Sequence, residues 1–247
     1  MEGYSSCCVQ GFNWEGTPEG HETKLGEANT YVTGSNPDVA VLVIHDLFGW
    51  KFNNLRLLAD HYAKEANVTA YLPDFFGGES LPFDIIADQA RWGEVDIKGF
   101  IGKNTRDIRR GEIFAAAKAL RAQYKRVGAV GFCFGGWAVF ELGAKGVDLV
   151  DCIATAHPSL LTKEDIDKVG VPVLVQAPER DAVYTQELKD YSNKVIPTLN
   201  IPYEYHFFPG VEHVFAVRGN PKDETERKAM LRAKNSTVSW LKQWLHE

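Results

Sequence analysis

Short apolar runs, rich in β-branched residues, alternate with amphipathic helical patterns along most of the chain. Such runs are typical of strands buried on both faces of a sheet, because successive side chains point to opposite faces and all of them are apolar. Five runs have this character, at residues 39–46, 68–74, 126–132, 148–157 and 171–181, and a sixth at 202–210 is more alternating. Helical patterns lie between them at residues 53–66, 106–124, 134–145 and 186–196.

Strands that alternate with helices predict an α/β fold with a mostly parallel, doubly wound sheet and helices on both faces. The segment NTYVTG, before the first buried run, predicts an antiparallel edge strand. A last helix is expected to open in GNPKDE, with Asn220 as its N-cap and Pro221 in its first turn. Residues 77–104 are the least regular stretch, and we expect them to cap a pocket.

Composition and charge argue against several classes of protein. The chain has no repeat or linker-like segment, so residues 1–247 are expected to form a single domain. Its net charge of −6 provides no basic surface for nucleic acid. No run approaches the roughly 18 apolar residues of a membrane span, and no secretory signal pattern is visible, so a cytoplasmic protein without a membrane partner is expected.

The cysteines and glycines do not follow the spacing of metal or cofactor sites. Four cysteines, Cys7, Cys8, Cys133 and Cys152, are too few and too irregularly spaced for a disulfide framework or a zinc site. The chain also lacks the glycine patterns of dinucleotide binding and of phosphate loops. No metal and no cofactor are therefore expected.

The stretch GAVGFCFGGW, residues 128–137, places one cysteine where a predicted strand turns into a predicted helix. Ligands of a doubly wound sheet bind outside the carboxyl ends of its strands, and Cys133 falls at such an end. A tight turn there needs small residues two positions before and after its centre, which Gly131 and Gly135 provide. The pattern is that of a nucleophile elbow, G-x-S-x-G, with cysteine in place of serine. The N-terminus of the helix that begins near Phe134 favours the thiolate. Close packing around a small buried cysteine would explain the same five residues about as well.

Two later loops supply the partners that such a nucleophile needs, in the order acid and then histidine. Asp181 follows the strand-like VPVLVQ, and His213 follows YEYHFF. The rival residues are Glu179 for the acid and His157, His206 and His61 for the histidine. His206 within a strand and His61 within a helix are expected to be structural, and His157 at a strand end is the weaker rival.

The sequence resembles the dienelactone hydrolase family, cysteine hydrolases of the α/β-hydrolase fold. The likeness spans nearly the whole chain and rests on GFCFGGW, HDLFG, PDFF, ERD and PGVEHVFAVRG. The resemblance implies that Cys133 is the nucleophile, His213 its proton partner and Asp181 the residue that orients the imidazole. It also implies an oxyanion hole formed by the backbone N–H groups of Leu47 and Phe134.

The resemblance further implies a switch at the cysteine. In family members, a glutamate holds the proton of the resting cysteine and pairs with an arginine until substrate arrives. Asp46 takes the place of the glutamate here, one methylene shorter, and Arg218 takes that of the arginine, one residue further along than in the bacterial enzymes. These departures leave open whether the switch and the small dienelactone substrate are the same. Outside a switch, Asp46 would cap local N–H groups and Arg218 would be a surface charge. Arg91 and Arg106 are candidates for the family's carboxylate-binding arginine.

The predicted activity is hydrolysis of an activated ester, enol ester or lactone through a Cys-His-Asp triad and an acyl-enzyme. The alternatives are a non-catalytic ligand binder and a redox-responsive thiol protein on the same fold. Asp181 and His213 in the required order argue against both, because neither alternative needs that pair. The expected partner is a small ester or lactone, bound by a monomer or homodimer. Five aromatic residues could line the pocket or belong to the core, and they are Trp50, Phe75, Phe76, Trp92 and Trp137.

Overall fold

A computed structural model of the protein describes residues 11–86 and 89–246. The expectations about Cys7, Cys8 and the Trp92 side chain lie outside what it describes. The strands are β1 (His21–Leu25), β2 (Ala28–Thr33), β3 (Val39–Ile44), β4 (Thr69–Pro73), β5 (Arg126–Phe132), β6 (Cys152–Ala156), β7 (Val173–Arg180) and β8 (Tyr203–Glu212). The α-helices are α1 (Asn53–Ala66), α2 (Phe83–Ile86), α3 (Ile97–Lys103), α4 (Arg106–Arg121), α5 (Gly135–Leu142), α6 (Lys163–Lys168), α7 (Gln186–Val195), α8 (Phe215–Arg218) and α9 (Glu224–Leu245). Short 3₁₀ helices span Gln89–Glu94 and Ile196–Leu199.

The strands form an eight-stranded sheet in the order β1-β2-β4-β3-β5-β6-β7-β8. All neighbours from β4 to β8 are parallel, whereas β2 pairs antiparallel with β1 and β4. Helices α1 and α9 pack on one face, and α4, α5, α6 and α7 cover the other. The prediction of an α/β-hydrolase fold with a mostly parallel, doubly wound sheet is confirmed. NTYVTG falls in β2, which is antiparallel as expected, but β1 forms the edge.

The central strands carry the core. Every residue of β3 and β6 is buried, and in β5 only Arg126 is exposed. Because both faces are covered by helices, these strands cannot alternate apolar and polar residues, and their sequences appear as continuous apolar runs. The predicted aromatic candidates Trp50, Phe75, Phe76 and Trp137 are buried members of this core.

Several predicted boundaries were wrong: the helices expected at 106–124 and 134–145 end at Arg121 and Leu142. Two further differences have a local cause. The strand expected at 148–157 begins only at Cys152, because Asp151 turns its carboxylate back to accept the Val127 N–H at 2.7 Å. The last helix begins at Glu224, and Asp223 caps it by accepting the N–H of Glu226 at 2.9 Å. Asn220, the expected cap, instead accepts the Lys222 N–H in the preceding turn, because asparagine forms such local turns readily. No helix in the described ranges combines the length and hydropathy that a membrane crossing requires.

Residues 77–86 and 89–104 pack over the loops that follow β3 and β4. The Leu81 N–H donates to the Leu47 carbonyl at 3.4 Å, and the Phe83 ring lies 5.4 Å from that of Phe48. The Phe100 ring meets Phe76 edge-on at 5.1 Å between centroids. This segment therefore lies over the carboxyl ends of the strands, where the predicted catalytic residues are found.

Candidate active site

The backbone of Cys133 is strained in the manner of a nucleophile elbow. Its φ is +47°, in the left-handed region that residues other than glycine seldom adopt. A Cβ on Gly131 would lie 2.2 Å from the Gly135 carbonyl oxygen, and one on Gly135 would lie 2.4 Å from that of Ile44. Both glycines are needed for close approach, as the packing interpretation also holds. The positive φ at the cysteine is what distinguishes an elbow from packing alone.

Strand register places the predicted acid beside the predicted base. Arg180 on β7 pairs with Glu212 on β8, so the residues that follow them, Asp181 and His213, leave the sheet side by side. The His213 N–H donates to the Arg180 carbonyl at 3.1 Å, which ties the two loops together. Parallel neighbours thus convert two distant sequence segments into one contact.

The three predicted triad side chains form a continuous chain of polar contacts. His213 Nε2 lies 3.3 Å from Cys133 Sγ, and His213 Nδ1 lies 2.8 Å from Asp181 Oδ2. The other Asp181 oxygen accepts the N–H groups of Val183 and Tyr184 at 2.8 and 2.9 Å. A carboxylate fixed in this way orients the imidazole with Nδ1–H toward itself and leaves Nε2 for the sulfur. The arrangement can move a proton between sulfur, imidazole and a leaving group.

This constellation is closed to solvent. Cys133 is 0% exposed, and the side chains of Asp181 and His213 are 0% exposed. A substrate therefore reaches the sulfur only if neighbouring groups move aside.

Ser159 is a member of the cluster that sequence reasoning missed. Its Oγ lies 3.1 Å from Cys133 Sγ and 3.4 Å from His213 Nε2, and its N–H donates to the Cys133 carbonyl at 2.8 Å. The position of Ser159 after a predicted strand could have identified it. Because β6 pairs with β5 at Ala156 and Phe132, the turn that follows β6 lies beside the elbow. A polar residue in that turn was a candidate on topology alone.

Asp46 and Arg218 form a buried ion pair at 2.8 Å, and both side chains are 0% exposed. The second Asp46 oxygen accepts the Phe48 N–H at 3.0 Å, and the guanidinium stacks on the Phe48 ring at 4.4 Å. Arg218 is therefore no surface charge. The resemblance implied that the acid pairs with the arginine at rest and also holds the cysteine's proton. Here the carboxylate pairs with Arg218, but the thiol contacts His213 and Ser159.

The rival acid and bases have other partners. Glu179 accepts the Gly210 N–H at 2.6 Å and is half-exposed. His206 pairs with Glu204 and His61 with Glu65. Among the described contacts, none joins these three residues to Cys133. The structure therefore favours Asp181 as the acid and His213 as the base.

The candidate carboxylate-binding arginines are also engaged. Arg106 donates to both oxygens of Asp165 and to Glu141, and Arg91 donates to both oxygens of Glu94. Arg106 is thus committed to the protein's own carboxylates. Within the described ranges, His, Cys, Asp and Glu side chains form no group of three that could hold a metal ion.

His157, the weaker rival, is a buried neighbour of the base. Its ring lies 5.1 Å from that of His213 and contacts Phe132 and Phe215, and neither ring nitrogen has a hydrogen-bond partner among the residues that the structure describes. Burial, reinforced by the charges of His213 and Arg218, holds the pKa of His157 well below its usual range. The imidazole is therefore neutral in the folded protein at neutral pH.

We expect this neutral histidine to make stability depend on pH. Below about pH 6.5 the unfolded chain binds a proton at His157 that the folded protein refuses, so the free energy of unfolding falls with falling pH. The slope from one such group approaches about 1.4 kcal/mol per pH unit. His157→Asn, which tolerates the positive φ at this position, should remove that part of the slope. His45 is fully buried and burial likewise lowers its pKa, so some slope should remain.

Urea denaturation of both proteins, between about pH 5 and pH 8, measures the difference. Identical slopes for wild type and His157→Asn would contradict the buried, neutral state of this ring.

The sequence model described as "Dienelactone hydrolase family" matches residues 28–245. The carboxymethylenebutenolidase homolog of Homo sapiens is 31% identical over 252 residues, covering 99% of each chain. Hydrolase tropI of Talaromyces stipitatus is 28% identical over 251 residues, covering 98% of this chain and 97% of its own. A dienelactone hydrolase-like promiscuous phosphotriesterase from metagenomic libraries shares the fold, with a TM-score of 0.68 at 21% identity over 91% of this chain and 96% of its own.

Proposed function

Because this chain belongs to the dienelactone hydrolase family, and is accordingly a hydrolase, we propose that it cleaves an activated ester, enol ester or lactone with Cys133 as nucleophile. The observation that carries the proposal is the chain of contacts from sulfur to imidazole to carboxylate, at 3.3 and 2.8 Å. Neither a ligand binder nor a redox sensor needs a carboxylate that orients the imidazole. The human relative is named after a butenolide, which is a lactone. That name supports the proposal that lactones are among the substrates.

In the proposed reaction, the thiol proton moves to His213 Nε2 and the sulfur attacks the carbonyl carbon. The carbonyl π electrons move to oxygen, and the tetrahedral intermediate then expels the alkoxide, which takes the proton from His213. The acyl group is now a thioester on Cys133. His213 next removes a proton from water, the hydroxide attacks the thioester, and release of the carboxylic acid restores the thiol. Asp181 stabilises the imidazolium at both stages.

The proposed oxyanion donors are the N–H groups of Leu47 and Phe134. Ile44 on β3 pairs with Gly131 on β5, so each proposed donor lies three residues beyond a paired position, at the same edge of the sheet. Among the described residues, neither N–H donates to a protein acceptor. Two unengaged donors beside a strained nucleophile suit the developing negative charge on the carbonyl oxygen.

Ser159 is proposed to assist the sulfur. Its hydroxyl can donate to Cys133 Sγ at 3.1 Å while His213 donates from the other side, so the thiolate receives two hydrogen bonds. Asp46 is already paired with Arg218. We therefore propose that the resting thiol is held by His213 and Ser159, and that attack requires no exchange of partners at Asp46.

Turnover of 4-nitrophenyl acetate and of an aryl lactone such as dihydrocoumarin tests the proposed function. Wild type should hydrolyse at least one of them, with a rate that saturates as the substrate concentration rises. This rate should fall in proportion to the fraction of Cys133 that iodoacetamide has alkylated. Turnover that persists after complete alkylation would refute the cysteine mechanism. Absence of ester turnover, together with ligand binding controlled by peroxide, would favour the redox-responsive alternative.

A further inference from the structure

The ring of His45, in the loop after β3, hydrogen-bonds to backbone on both sides. Its Nε2 lies 3.1 Å from the Phe75 nitrogen, and its Nδ1 lies 2.8 Å from the Asp46 carbonyl oxygen. An amide N–H can only donate, so Nε2 accepts and the proton of the neutral imidazole resides on Nδ1. The Nδ1–H therefore donates to the Asp46 carbonyl. The tautomer follows from the hydrogen-bond network.

The Asp46 carbonyl and the Leu47 N–H belong to one peptide group. The bond is trans, so the two groups point in opposite directions. His45 holds the carbonyl on its own side, where the Gly49 N–H also donates to it at 3.2 Å. The Leu47 N–H is thereby directed away from the ring and is left without a protein acceptor among the described residues.

The same ring packs against the second proposed donor residue. It lies nearly parallel to the Phe134 ring, with centroids 6.3 Å apart and planes at 18°. The Phe76 ring packs edge-on against both, with its centroid 4.4 Å from that of His45 and 4.9 Å from that of Phe134. The three rings therefore form one packed cluster. His45 is 0% exposed, so its orientation is set by these contacts. One side chain thus contacts the peptide that carries the Leu47 N–H and the ring of Phe134, the second proposed donor residue.

We propose that His45 is a positioning residue that fixes the Asp46–Leu47 peptide with its N–H aimed at the substrate oxyanion. The inference rests on the proposed function, because it requires Leu47 to be an oxyanion donor. If Nδ1–H is lost, the Asp46 carbonyl keeps only the longer hydrogen bond from the Gly49 N–H. The peptide is then held less firmly, and the hole loses the preorganisation of one donor. Loss of one such donor typically lowers kcat by about 10² to 10³-fold.

Two substitutions separate the hydrogen bonds of His45. In His45→Asn the amide nitrogen lies as many bonds from Cα as Nδ1, so the donor to Asp46 is kept. In His45→Gln the amide oxygen lies as many bonds from Cα as Nε2, so the acceptor for Phe75 is kept and the donor is lost. Each variant removes the ring and one hydrogen bond, which makes them matched controls for stability.

We expect kcat for 4-nitrophenyl acetate to fall about 10²-fold in His45→Gln, with KM little changed, and to fall less than tenfold in His45→Asn. Alkylation of Cys133 by iodoacetamide forms no oxyanion, so both variants should react at the wild-type rate. A merely structural role would lower kcat in both variants to the same extent, and that result would overturn the proposal.

An NMR measurement on wild type does not depend on how the variants fold. An aldehyde inhibitor adds to Cys133 as a hemithioacetal whose oxygen occupies the oxyanion position. The Leu47 amide resonance should shift on binding, and an unchanged resonance would refute the positioning of that N–H. A wild-type protein that is alkylated normally yet hydrolyses no ester would refute the proposed function, and this inference with it. Equal losses in two variants of an active enzyme would refute the inference alone.

Discussion

Replacing Cys133 by alanine is expected to lower kcat/KM for an activated aryl ester by about 10³ to 10⁶-fold. The variant retains the proposed oxyanion donors and His213, but no sulfur is present to form the thioester. Removal of a nucleophile leaves only the catalysis supplied by binding and the oxyanion hole, which accounts for the size of the loss. The small side chain should tolerate the backbone at φ +47° as well as cysteine does.

Cys152→Ala is the matched control for this experiment. Cys152 is also buried, and burial raises the pKa of its thiol, so it stays protonated and unreactive. The activity of the Cys152→Ala variant should equal that of wild type after correction for the fraction of folded protein. Steady-state release of 4-nitrophenol measures both variants. Near wild-type kcat/KM in Cys133→Ala, or a large loss in Cys152→Ala, would contradict the proposed mechanism.

Replacing Asp46 by asparagine is expected to lower the free energy of unfolding by about 3 to 5 kcal/mol, because the buried Arg218 guanidinium loses the negative charge of Asp46. Both side chains of the pair are 0% exposed, so water cannot compensate for the missing charge. The shape of the side chain is conserved, and the Phe48 N–H still has an oxygen to accept it. The loss should therefore reflect the charge rather than a cavity.

A double variant tests that explanation. Asp46→Asn combined with Arg218→Met removes both charges, and it should be more stable than Asp46→Asn alone, as found when whole buried ion pairs are replaced. Glu79→Gln, in the exposed pair with Lys103 at 3.3 Å, serves as the surface control and should change stability little. Urea denaturation measures all four proteins. Equal, small effects of Asp46→Asn and Glu79→Gln would contradict the account of the buried pair.

The sheet was predictable because strands that are buried on both faces appear in the sequence as continuous apolar runs. The runs that became β3, β4, β5 and β7 were placed within a few residues of their observed ends. Where local side-chain hydrogen bonds compete with regular structure, the prediction failed. The pattern predicts Asn220 as the helix cap, yet its carboxamide forms a turn and Asp223 caps α9.

The contacts of the candidate site depend on register, which sequence patterns do not specify. Asp181 and His213 could be proposed from their order after two strands, but their adjacency comes from the pairing of Arg180 with Glu212. Ser159 carried no motif and became visible only through the position of its turn beside the elbow. The pairing of Asp46 with Arg218 joins residues 172 positions apart. The resemblance suggested both residues and their pairing at rest, whereas the contact of the thiol with Ser159 was not suggested by it.

The mass of the covalent intermediate tests the central proposal most directly. Wild type mixed with 4-nitrophenyl acetate and quenched in acid during turnover should carry one acetyl group, and peptide mapping should place it on Cys133. An acetyl group on Ser159, or turnover without any covalent adduct, would contradict the proposal that this sulfur is the nucleophile.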